Sequence, residues 1–194
     1  MTMTERRKML QGEPYDPGDP ELVDGRRRAK TLCHQLNATD YGDRSARREA
    51  LAELLPNCAA PVWVEPPFFC DYGVNITAGE RLYMNHNCVI LDVCRVSIGA
   101  NVMLGPSVQI YTAMHAMDAV ERREGIEFGR PVKIGDDCWI GGGAVICPGV
   151  SIGDRCVIGA GTVVTKDIPD DSFAAGNPAR VVRTLERREG SASP

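Results

Sequence analysis

Three histidines and eight cysteines without a single CxxC spacing leave little material for a metal centre. A trimeric, metal-dependent carbonic anhydrase needs several histidines converging on one ion. Here His34 falls in a helical pattern, and His86 and His115 are not paired at short spacing, so no metal site is expected. The cysteines read as free core thiols. No positive excess exists either: the formal charge is −4 and the pI near 5.4, which excludes broad attraction to nucleic acid or anionic lipid. No apolar run approaches the roughly 18 residues of a membrane span, and the charged start MTMTERRK lacks a signal peptide's apolar core. The expectation is a cytoplasmic protein without a membrane partner. Also missing are a phosphate-cradling P-loop and a serine–histidine–acid signature.

What is present divides the chain into an N-terminal helical arm over 1–58, a body over 59–185, and a tail over 186–194 expected to be disordered. In the arm, Asp19 and Pro20 make a cap and first turn before Leu22, Ala29, Leu32, Cys33 and Leu36 on one face. Asp43 caps a second helix, in which Ala46, Ala50, Leu51, Leu54 and Leu55 form an apolar stripe against arginines and glutamates.

From about Val62 a six-residue period takes over. Starting at Ile134 the chain reads IGDDCW, IGGGAV, ICPGVS, IGDRCV, IGAGTV and VTKDIP, with an aliphatic residue first and glycine often second. The physical reading is one short strand and one turn per unit, three units closing a triangular coil. The leading aliphatics point inward, as do the fifth positions Cys138, Ala144, Val150, Cys156, Thr162 and Ile168. The fold class is therefore an all-β solenoid. The glycines Gly141 to Gly143 turn corners and do not open a helix as a dinucleotide fingerprint would. An earlier pair at Ile76 and Leu82 is out of frame with the later units, which predicts an irregular coil near Asp92. Between Ile110 and Ile134 the period vanishes, and a loop over about 111–133 is expected to be extruded from the prism.

The segments PFFCDYGVNI, LYMNHN, VILDVC, YTAMH, GRPVKIGDDCWIGGGAVICPGVSIGD and GNPAR together resemble the maltose and galactoside O-acetyltransferase family over nearly the whole chain. The resemblance implies a left-handed parallel β-helix, a handedness that twist arguments do not supply, since parallel crossovers are ordinarily right-handed. It implies a homotrimer with active sites in the grooves between neighbours. It implies acetyl-CoA as cosubstrate and a sugar as acceptor, with His115 in the extruded loop as the base. Asn85 matches an asparagine facing the acceptor, where its amide meets a hydroxyl or the tetrahedral intermediate. Asp71 falls at a sugar-contacting position, and Glu127 is a candidate to orient His115. For the acetyl donor the matching positions are Gly142, Ala160, Thr165, Lys166, Arg180 and Arg183, the first two acting through backbone groups and the cations on phosphate. Trp139, at a sixth position outside the inward frame, lines the groove near the pantetheine arm or packs the trimer. His86 departs from the aromatic residue expected between the two asparagines, which alters the acceptor pocket.

Each of these residues has a plainer reading: an exposed loop histidine, a turn asparagine or aspartate, ordinary solvated charge. Two functional alternatives also stay open. One is an acetyltransferase for a non-sugar acceptor such as an amino acid or antibiotic; the other is a non-catalytic β-helix scaffold, which needs the repeats but not His115, Asn85 and the cations together.

Overall fold

The computed structural model describes residues 3–186, so the tail from 187 onward lies outside the described residues. Helices come first. α1 (Glu5–Gln11) was not foreseen from the periodicity, being only two turns long; Thr4 caps it by accepting from the Arg7 N–H. α2 (Pro20–Ala38) starts behind Asp19, whose carboxylate accepts from the Glu21 N–H, and buries Leu22, Ala29, Leu32, Cys33 and Leu36. α3 (Arg44–Leu54) starts behind Asp43 in the same way. Its inward stripe holds a charge among the apolar residues: Arg47 is buried. The guanidinium donates to the Val64 carbonyl at 2.7 Å, lies 3.5 Å from the Glu65 carboxylate, and is flanked by the rings of Tyr41 and Trp63. Those partners satisfy a charge that could not otherwise be buried there. No described helix is long and apolar enough to cross a membrane.

The body is a parallel prism of three faces. The first stacks Val62–Val64, Leu82–Met84, Met103–Leu104, Trp139–Ile140, Val157–Ile158 and Ser172–Ala175, and is closed by the antiparallel Arg180–Thr184. The second stacks Phe68–Cys70, Cys88–Leu91, Gln109–Tyr111, Val145–Ile146 and Val163–Val164. The third stacks Ile76–Ala78, Val96–Ile98, Val132–Ile134 and Ser151–Ile152. Along each strand side chains alternate in and out. The inward set fills one core, including the leading aliphatics Ile134, Ile140, Ile146, Ile152, Ile158 and Val164, and every fifth-position residue from Cys138 to Ile168 is buried.

The frame shift has a simple cause. From Ile134 to Val164 strands pair 18 residues apart, as Ile134 with Ile152 and Ile140 with Ile158, and the last coil shortens to a step of 16, as Ile158 with Ala174. In the first coils the step is 20, as Val62 with Leu82 and Ile76 with Val96. Inward residues run six apart through Val64 and Cys70, then eight to Ala78; they again run eight from Ile90 to Ile98. Both two-residue insertions therefore fall on one edge of the prism, between the second and third faces. On that same edge the next coil carries the long excursion, where 24 residues rather than six separate the buried Ile110 from Ile134.

The excursion is more ordered than an extruded loop. Ala113–His115 and Glu127–Gly129 form an antiparallel hairpin, with α4 (Ala119–Arg123) between them capped by Asp118. A second small core of Met9, Tyr15, Leu22, Tyr72 and Val93, with Ala113 against it, ties arm, edge and hairpin together.

Candidate active site

The edge between the second and third faces is built around Asp92, which is fully buried. One carboxylate oxygen accepts from the backbone N–H groups of Asp71 at 3.0 Å and Tyr72 at 2.9 Å, the other from Asn75 at 3.3 Å. Burial pushes the Asp92 carboxyl up to about 7, against the pull of these N–H groups. This corner fixes Asp71 and Tyr72. The Tyr72 hydroxyl accepts from Arg26 at 2.8 Å, and Arg26 also donates to the Pro17 carbonyl. Burial raises the Asp71 carboxyl; Arg26 and Lys30 oppose that rise, and Glu127 adds to it. Asp71 borders a groove of ≈ 580 Å³ between α2 and the second face, with Lys30, His34, Asn37 and Phe69 among its walls.

His115 is exposed at the end of its strand and is the register partner of Glu127. Directly opposite residues of an antiparallel pair project to the same side, so the carboxylate and imidazole are neighbours. No hydrogen bond joins them among the described residues. The Glu127 carboxylate instead accepts from the Tyr15 hydroxyl at 2.7 Å, and the two backbones bridge, Tyr15 N–H to Glu127 carbonyl at 2.9 Å. Tyr15 and Arg26 thus join this cluster without having been singled out for a role from sequence. Their partners are over 100 and 46 residues away along the chain, a separation no local pattern encodes.

Asn85 lies on a different edge, between the first and second faces. Below it stack Gly105, Gly141 and Gly159, with Pro106, Gly142 and Ala160 in the next column, the backbone so close that a Cβ on Gly105 would sit 2.6 Å from the Gly142 nitrogen. This strip is nearly bare of side chains. Among the described residues the N–H groups of Gly142 and Ala160 have no intramolecular acceptor, although Gly143 donates to the Pro106 carbonyl and Gly161 to the Gly142 carbonyl. The Asn85 amide oxygen accepts from the His86 N–H at 2.7 Å, and among the described residues its NH₂ has no acceptor. The edge therefore offers two unpartnered backbone N–H donors, Gly142 and Ala160, with the Asn85 amide above them.

The remaining positions are also dispersed. Thr165 and Lys166 are exposed on the edge that carries Asp71 and the hairpin. Arg180 and Arg183 are exposed on the closing strand, Arg183 with its guanidinium over the Phe173 ring. Trp139 is 52% exposed on the first face, in register with Met103 and Val157. One chain does not bring these residues together. A strand and its two turns, roughly five residues or about 15 Å, separate the Asn85 edge from the His115 edge.

A triangular prism with one hairpin excursion and bare glycine corners is the architecture of the hexapeptide-repeat β-helix proteins. Residues 131–166 match the family model "Hexapeptide repeat of succinyl-transferase", and residues 8–59 match "Maltose acetyltransferase hexapeptide capping motif". The structure of a maltose O-acetyltransferase from Clostridium difficile 630 is 49% identical with a TM-score of 0.94, covering 96% of this chain and 100% of that one. A galactoside acetyltransferase in complex with coenzyme A is 37% identical with a TM-score of 0.92, covering 95% and 92%. Nodulation protein L of Rhizobium meliloti is 50% identical over 186 residues, covering 93% of this chain and 99% of the relative. The chain belongs to the maltose and galactoside O-acetyltransferase family, its solenoid is a left-handed β-helix, and its activity class is acetyl transfer.

Proposed function

We propose that this acetyltransferase moves the acetyl group of acetyl-CoA onto a sugar hydroxyl, in grooves between the copies of a homotrimer. The observation that carries the reading is the division of the site. The unpartnered N–H groups of Gly142 and Ala160 lie with Asn85 on one edge, and the histidine with its carboxylates stands on the other. Each edge supplies what the other lacks. A neighbouring copy that sets its Asn85 edge against this copy's His115 edge completes the constellation, and a three-fold axis closes such a head-to-tail contact into a ring.

The surface suits that assembly. The outward column of the first face is Trp63, Tyr83, Met103, Trp139, Val157 and Phe173, and that of the second is Phe69, Val89, Gln109, Val145 and Val163, apolar but for Gln109. On the third face the column is Thr77, Ser97, Lys133 and Ser151. Two faces are apolar and one polar, as two neighbours and one solvent front require. Light scattering is expected to give a mass near three times 21.1 kDa. Trp139→Glu, which puts a charge into the column, should shift the protein to monomer and abolish turnover. A monomeric wild type would remove this basis for the site.

In the groove, His115 accepts the proton of the acceptor hydroxyl as its oxygen attacks the thioester carbonyl. The oxyanion receives N–H donation from Gly142 or Asn85. Collapse breaks the C–S bond, and the departing thiolate of coenzyme A takes the proton back from His115. Asp71, Asn85 and Glu127 hold acceptor hydroxyls. Lys166, Arg180 and Arg183, with Thr165, meet the coenzyme phosphates, while Gly142, Ala160 and Trp139 border the pantetheine arm. A direct reaction without an acyl-enzyme fits the cysteines: six are buried, and in the two half-buried ones burial raises the Cys147 thiol and pushes Cys58 up to about 11, which makes both poor nucleophiles. Eight unpaired thiols also accord with a cytoplasmic location.

Thiol release from acetyl-CoA, measured across maltose, glucose, galactosides, amino acids and antibiotics, tests the reading. Stimulation by a sugar supports it. Stimulation by a non-sugar acceptor alone would move the acceptor class, and no binding or release with any acceptor would leave a scaffold.

A further inference from the structure

We infer that His86 is a specificity-determining residue for the acceptor, its Nε2 accepting a hydrogen bond from a second sugar hydroxyl beside the one held by Asn85. The inference rests on the proposed transfer to a sugar hydroxyl. It begins with the ring's anchoring: Nδ1 lies 2.6 Å from the Pro66 carbonyl oxygen. A carbonyl only accepts, so Nδ1 carries the proton and Nε2 of the neutral ring keeps its lone pair. The backbone is held as well, with the His86 N–H donating to the Asn85 amide oxygen and the Ser107 N–H donating to the His86 carbonyl at 2.7 Å.

Two adjacent side chains on one prism edge therefore show opposite hydrogen-bonding faces. Asn85, its oxygen taken by the His86 N–H, has only N–H donors left to offer, and the exposed His86 presents an acceptor from a ring that cannot turn without losing Pro66. A single fixed donor recognises any oxygen. A fixed donor beside a fixed acceptor instead suits neighbouring hydroxyls, one taken through its oxygen and one through its hydrogen. The Gly105 and Gly142 strip lies directly below, so whatever the pair holds stands at the top of the bare edge. The substrate class this selects is a saccharide with free adjacent hydroxyls at the reacting end, over a glycoside that places an apolar substituent there.

The test compares wild type, His86→Phe and His86→Gln with maltose and with maltoses singly O-methylated at the hydroxyls next to the acetylated one, each variant checked for fold by circular dichroism and for unchanged coenzyme A affinity. Phenylalanine keeps the ring's shape and removes the acceptor; glutamine restores an acceptor near Nε2. His86→Phe should raise KM for maltose about tenfold with kcat little changed, a difference typical of one lost hydrogen bond. The same variant should leave the O-methylated maltose that lacks the second free hydroxyl unaffected or improved, and His86→Gln should stay within about threefold of wild type on maltose. Maltose turnover with KM unmoved in His86→Phe would overturn the inference and leave the acetyl-transfer reading intact. If wild type acetylates no sugar, that reading fails by itself, and titrating maltose against isotope-labelled histidine ring resonances then decides the inference. A shift of the His86 signal supports it, and a still signal overturns it.

Discussion

Replacing His115 by alanine is expected to lower kcat for acetyl transfer by roughly 10²- to 10⁴-fold, the range of a lost general base, with coenzyme A affinity and the folded state unchanged. Selectivity of the defect follows from placement. His115 ends a hairpin strand, is exposed, and packs into neither hydrophobic core, so its truncation creates no cavity. Steady-state rates beside coenzyme A titrations and thermal melts check this. A loss under about tenfold would put the base elsewhere. The two-edge geometry adds a sharper form of the experiment. Chains carrying His115→Ala and chains carrying Asn85→Ala, each nearly inactive, should regain activity when unfolded together and reassembled. A groove that takes its Asn85 edge from the first chain and its His115 edge from the second is intact. Random assortment makes about a quarter of the grooves so, and recovery should approach about a quarter of the wild-type rate. No recovery would mean that both residues serve one groove from the same chain.

The repeating part of the fold was legible because one physical rule repeats there: an inward aliphatic every six residues. The rule placed Ile134 through Val164 and the fifth-position fillers, and its interruptions marked the unusual edge at Asp92 and the excursion after Ile110. What it could not show is that these interruptions stack. The two-residue insertions before Ala78 and Ile98 and the hairpin sit on successive coils of one edge, a fact of the closed prism rather than of any local window. The helices α2 and α3 were readable from Asp19, Pro20 and Asp43. Arg47 was not, because a buried arginine is recognisable only by Val64, Glu65, Tyr41 and Trp63, all four of which lie outside the helix that bears it. The candidate site shows the same limit. Motif positions named His115, Asn85, Asp71 and Glu127, but the Tyr15 hydroxyl on Glu127 and Arg26 on Tyr72 arise only when the arm folds onto the excursion. Family likeness named residues one by one; that His115, Asp71 and Glu127 stand on one edge and Asn85 on another is a property of the closed prism.

Asp92→Ala is expected to be the most damaging change outside the catalytic groups, costing about 3–5 kcal/mol of stability. The carboxylate is the acceptor for three buried or half-buried backbone N–H groups, and each donor left without a partner costs roughly 1–3 kcal/mol before any relaxation. Activity should fall with it, because the same N–H groups belong to Asp71 and to Tyr72, which holds Arg26. Asp92→Asn separates charge from shape. Its amide oxygen can still serve Asp71 and Tyr72, but its NH₂ meets the Asn75 N–H, donor against donor, so a smaller cost of about 1–3 kcal/mol is expected. The two variants also differ from wild type in pH dependence. Burial raises the Asp92 carboxyl to about 7, above its value of about 4 in an unfolded chain, so between those values the native state holds a proton that the unfolded state has lost. That contribution is fully present below about pH 4 and disappears as pH rises through about 7, up to about 4 kcal/mol for a shift of roughly three units. Asp92→Asn never ionises and lacks the slope. Denaturant unfolding at fixed protein concentration should therefore show the lead of wild type over Asp92→Asn widest at about pH 4 and lost as pH rises through about 7. A gap that widened with pH would mean that the three N–H groups outweigh burial and hold Asp92 ionised throughout. The edge that carries Asp71 and the hairpin would then rest on a buried anion rather than on a carboxylic acid.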